Sequence, residues 1–134
     1  MTEVVRTSTF LRWALLADAA ISGAMGLLMV LGAALLEQSL QLPAELSRGA
    51  GLSLLPFAAF LIYLATRETL TPMAIWTVIG INALWIVGTL LLLIERGIEP
   101  NGLGYAFVLF QAAGVALFAT AEYVGLRKSI AAEA

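Results

Sequence analysis

Cysteine and histidine are both absent from this chain of 134 residues. Without thiolate or imidazole ligands it lacks the usual means of holding structural zinc, iron–sulfur clusters or most haems. Disulfides, a nucleophilic cysteine and a Ser-His-Asp arrangement are excluded with them. Charge is scarce as well: 12% of residues are charged, seven basic against nine acidic, for a net charge of −2. The few basic side chains are scattered and form no stripe that could follow a phosphate backbone. Neither a metal, a cofactor nor a nucleic-acid partner is therefore expected.

What remains is apolar. Hydrophobic residues make up 61% of the chain and the mean hydropathy is +0.97, outside the range of ordinary soluble domains. A membrane span needs about 20 apolar residues, and four such runs occur, at about 13–36, 49–66, 72–94 and 102–126. They consume most of the sequence, so the expected fold is all-α: one integral membrane domain over residues 1–134, built as a four-transmembrane-helix bundle. The first run is far longer than the roughly 7–15 apolar residues of a secretory signal peptide and is read as a span.

Local chemistry sets the expected boundaries. Pro43 suits the first turn of the second span and Pro72 that of the third, where a missing N–H costs nothing. Thr71 and Asn101 stand where helix caps are needed. Pro56 removes a backbone hydrogen bond inside the second span and predicts a kink there. The tail after Leu126 is expected to be loosely ordered beyond its first turn. Arg6, Arg12, Arg67, Arg127 and Lys128 fall on one side of the membrane against Arg48 and Arg96 on the other, which predicts cytoplasmic termini. Trp13, Tyr63, Tyr123 and Trp76 fall near the cytoplasmic ends of spans as interfacial anchors, whereas Trp85 lies deeper and reads as a packing residue.

Small residues mark where membrane helices approach closely. Gly23 and Gly26 on the first span, Gly80 on the third and Gly114 on the fourth are the expected packing positions, with Gly51 narrowing the second. Polar side chains inside the spans are fewer and more informative. Asp18 lies five residues inside Trp13, and Glu122 five residues inside Arg127, which places both carboxyls at a shallow cytoplasmic depth of about 7–8 Å at helical rise. They are candidates to share a proton; the competing reading pairs Asp18 with a hydroxyl or basic group and lets Glu122 reach the interface. Asn82 is placed about 15 Å from Pro72, near the bilayer centre. Asp18, Ser22, Asn82, Gln111 and Glu122 together form a candidate polar seam, a proton or polar-ligand site.

The whole pattern resembles small four-span bacterial inner-membrane proteins of no assigned activity. With the small multidrug resistance exporters the chain shares four spans in a short sequence and an acid in the first of them, in Leu16-Ala17-Asp18; that likeness is limited, since the family's acid is a glutamate. The resemblance implies a bacterial inner membrane and supplies no functional residues. Two functional expectations follow. One is a non-enzymatic module that binds membrane lipid, a hydrophobic molecule, a larger membrane complex or a second copy of itself. The other is a small proton-coupled transporter or channel using Asp18 and Glu122. An intramembrane hydrolase is disfavoured because Ser22, Ser53 and Thr77 have no histidine or intramembrane lysine to activate them.

Overall fold

A computed structural model describes residues 4–95 and 97–133; Arg96, counted above in the charge balance, lies outside them. Five helices follow one another: α1 (Thr9–Leu31), α2 (Ala33–Leu40), α3 (Ala44–Ala65), α4 (Pro72–Ile94) and α5 (Gly102–Glu133). Four of them, α1, α3, α4 and α5, are long and apolar enough to cross a membrane, as an integral membrane protein requires. Large apolar side chains cover the outside, and only 11% of the most apolar window of α4 is buried within the protein. In water such a surface would aggregate; in a bilayer it is the lipid-facing wall.

Helix boundaries move outward from the expected ones, for identifiable reasons. Ser8 caps α1, its hydroxyl accepting from the Leu11 N–H at 3.1 Å, so the helix starts four residues before Trp13. The first span does not run unbroken to Leu36, because the chain breaks at Gly32 and restarts as α2. Helix α3 begins at Ala44 rather than near Gly49, with Pro43 at the cap and the Ala44 N–H donating to Glu37 Oε2 at 3.0 Å. Pro56 lies inside α3, whose helical state continues on both sides of it. Pro72 opens α4 as expected, but the Thr71 side chain makes no capping bond.

The tail after Leu126 is ordered, against expectation: α5 continues to Glu133. The cause is Ser129, fully buried, whose hydroxyl accepts from the Ser8 N–H at 3.0 Å and donates to the Gly125 carbonyl at 2.9 Å. Gly125 lets this seam close, since a Cβ there would stand 2.8 Å from the Leu11 backbone. A second unexpected feature ties the same end together. Strands β1 (Val5–Arg6) and β2 (Thr69–Leu70) pair antiparallel, Val5 opposite Leu70, in the short connection between the second and third spans. The main cluster of buried side chains lies beneath this ribbon and draws on every spanning helix, including Leu11, Leu61, Ile75 and Leu126. Around it Trp76 packs on Tyr123 at 5.7 Å, and Arg67 and Arg127 sit over the rings of Tyr63 and Tyr123.

At the opposite end Asn101 does two things. Its Oδ1 accepts from the Gly104 N–H at 2.8 Å, capping α5, while its Nδ2 donates to the Ser39 carbonyl at 2.8 Å, pinning α2. Asn101→Ala is expected to cost about 1 kcal/mol, read by equilibrium unfolding in mixed micelles; an unchanged midpoint would show that water replaces both bonds.

Candidate functional site

The earlier start of α1 and the later end of α5 set Asp18 and Glu122 further from their helix ends. Asp18 is nine residues from the start of α1, Asn82 ten from the start of α4, and Glu122 ten from Ala132 near the end of α5. At helical rise all three stand about 14–15 Å from those ends. Asn82 stands level with the two acids, where the sequence placed it deeper.

At that level the three side chains meet. Asn82 Nδ2 donates to Glu122 Oε1 at 2.9 Å and to Asp18 Oδ2 at 3.2 Å. Ser22, one turn along α1, donates its hydroxyl to Asp18 Oδ1 at 2.9 Å. Burial is nearly complete, with Asp18 2% exposed, Asn82 4% and Glu122 0%. Glu122 Oε2 is buried with no hydrogen-bond partner among the described residues, as is Trp85 Nε1. A basic partner for Asp18 is not what the structure provides: the donors that reach the two carboxyls, Ser22 and Asn82, are both neutral. Nor does Glu122 turn outward to the interface.

Of two cavities in the bundle, the smaller adjoins this cluster. The smaller, about 80 Å³, has Asp18, Ser22 and Gln111 in its wall, together with Leu54 and Gly114. The larger, about 410 Å³, opens between α3, α4 and α5 in the half of the bundle away from the ribbon. Its wall includes Leu46, Ala50, Leu84, Trp85, Gly88 and Phe107, an apolar set. Gln111 belongs to both walls. Of the five residues of the expected seam, four are joined directly and Gln111 faces Asp18 and Ser22 across the small cavity.

The packing glycines divide. A Cβ on Gly26 would lie 3.1 Å from the Gly51 carbonyl and one on Gly23 3.7 Å from Ala58, so both face α3 closely. Gly80 and Gly114 have open space where a Cβ would stand and are not close-approach positions; Gly114 lines the small cavity instead. Gly104 and Gly125 are the close-approach positions that spacing did not reveal. Ser47, outside the second run as bounded from sequence, lies buried in the first turn of α3 and lines the large cavity; the cue was Pro43, which starts the helix earlier. Trp85, read as a packing residue, is part of the same wall.

No group of three or more acidic side chains that could hold a metal ion occurs among the described residues. The arrangement can do two things chemically: seat an apolar body in the large cavity, and hold two carboxyls against one amide in a site shielded from solvent. Comparison with protein-family models, with curated proteins and with solved structures finds no match for this chain.

Proposed function

We propose that the protein is a non-enzymatic binding component of a bacterial inner membrane, with both termini cytoplasmic, that takes an apolar bilayer-dissolved molecule into the cavity between α3, α4 and α5. The observation that carries this reading is the cavity itself. Its volume of about 410 Å³ falls within the roughly 300–1,000 Å³ of small-molecule sites, and its wall is mainly apolar, with Ser47, Thr89 and Gln111 the polar exceptions. A lipid chain entering from the bilayer exchanges one apolar surrounding for another, so affinity rests on shape and packing instead of on release from water.

Native mass spectrometry of the protein extracted from its own membrane tests the reading. Wild type is expected to retain a lipid-sized adduct. Gly88→Leu, at a position whose Cβ meets nothing within 4 Å, fills the cavity without disturbing the helices and is expected to lower retention roughly tenfold, the equivalent of about 1.4 kcal/mol of lost packing. Asp18→Asn leaves the adduct in place. A protein that travels alone, or an adduct indifferent to Gly88→Leu, removes the proposal; co-elution with another protein in place of an adduct points to a membrane complex.

A further inference from the structure

The geometry points to Asp18 and Glu122 as one proton-binding site, in which a single proton is held between the two carboxyls and Asn82 positions them to receive it. This goes beyond the apolar cavity and does not depend on it.

The donor count carries the inference. A side-chain amide has two N–H hydrogens, and Asn82 directs one to each carboxyl. Ser22 supplies the remaining oxygen of Asp18. That leaves Glu122 Oε2 as a fully enclosed acceptor with no donor among the described residues, on a carboxyl that shares the Asn82 amide nitrogen with Asp18. A bare oxygen so placed is costly, and two adjacent carboxylates in a low-dielectric interior repel one another. One proton answers both, because a protonated carboxyl is donor and acceptor together. A metal cation fits less well, since calcium or magnesium seeks six or more oxygens in total and the described residues offer no group of three acids.

Access is one-sided. Glu122 has no exposed surface, whereas Asp18 lines the small cavity with Ser22 and Gln111, and about 80 Å³ is several times the roughly 10–15 Å³ one water needs. The groups facing the pair are Ser22 from α1, Asn82 from α4 and Gln111 from α5, while α3 contributes only Leu54 to the cavity wall. A proton entering from this side meets Asp18 first: an O–H bond of a hydronium ion breaks, leaving water, an O–H bond forms on the carboxyl pair, and the charge of the site goes from −2 to −1.

Infrared spectroscopy of the protein in lipid nanodiscs near neutral pH reads this directly. Wild type should show the C=O stretch of a protonated carboxylic acid at an intensity of one per chain, and Glu122→Gln, nearly isosteric, should abolish it. Asp18→Asn should change the pH at which the band is lost, because sharing makes the two groups titrate together. Helical circular dichroism confirms that each variant is folded, and the band should be indifferent to Gly88→Leu, which separates this site from the ligand cavity. Absence of the band in wild type, its persistence in the Asp18→Asn, Glu122→Gln double variant, a titration indifferent to Asp18, or its replacement by stoichiometric sodium or potassium binding would each overturn the proposal.

Discussion

Gly51→Val is expected to lower stability by about 2–3 kcal/mol, while Gly80→Val changes it by less than about 0.5 kcal/mol. Both substitutions put the same bulk into an apolar helix. At Gly51 the new Cβ would lie 2.7 Å from the Gly26 carbonyl oxygen and 2.8 Å from Val30 Cγ2, so backbone must separate. At Gly80 it meets nothing within 4 Å and points into lipid. Gly26 reciprocates, with its own Cβ position 3.1 Å from the Gly51 carbonyl; α1 and α3 therefore touch backbone to backbone here, the close approach that packs membrane helices in the absence of a hydrophobic driving force. Unfolding by denaturing detergent titrated into mild micelles gives both values. Equal losses at the two glycines would mean that helix propensity, and not contact, governs this bundle.

That contrast also marks what can be read from one sequence. Span number was legible because it depends only on the length and hydropathy of each run, properties that need no partner. The Gly23–Gly26 face was legible for a related reason, since spacing by helical periodicity shows smoothness. Smoothness does not say what lies opposite. Gly80 and Gly114 have the same local appearance as Gly26, and only the arrangement of neighbours leaves them open. The ends were misjudged because their order comes from distant residues: Ser129 is held by Ser8 across 121 positions, and the Val5 strand by Leu70. Four of the five residues of the candidate seam meet, Gln111 being the exception; they could be enumerated because intramembrane acids and amides are few. Which of them meet became visible only in the structure, because turning Asp18, Asn82 and Glu122 toward one another depends on how α1, α4 and α5 pack.

Asn82→Leu is expected to be the most damaging single change in the cluster, costing about 3–5 kcal/mol. An interhelical hydrogen bond in a membrane is worth only about 0.6–2 kcal/mol, so loss of the two that Asn82 donates accounts for only part of that. The remainder comes from what is left behind: Glu122 Oε1 and Asp18 Oδ2 without the amide that served them, buried groups stripped of their compensation. The triple variant Asp18→Val, Asn82→Leu, Glu122→Leu removes the whole set, leaving nothing unpaired, and buried polar groups replaced together by apolar ones are often neutral or stabilising by about 1–4 kcal/mol. Its stability is expected to return to within about 1 kcal/mol of wild type, with the protonated-carboxyl band gone. Such a recovery would mean that the bundle folds without its acids, which are then present for the proton they hold and not for the helices they join. A triple variant less stable than Asn82→Leu alone would mean the reverse: the amide and its two carboxyls fasten α1, α4 and α5 together.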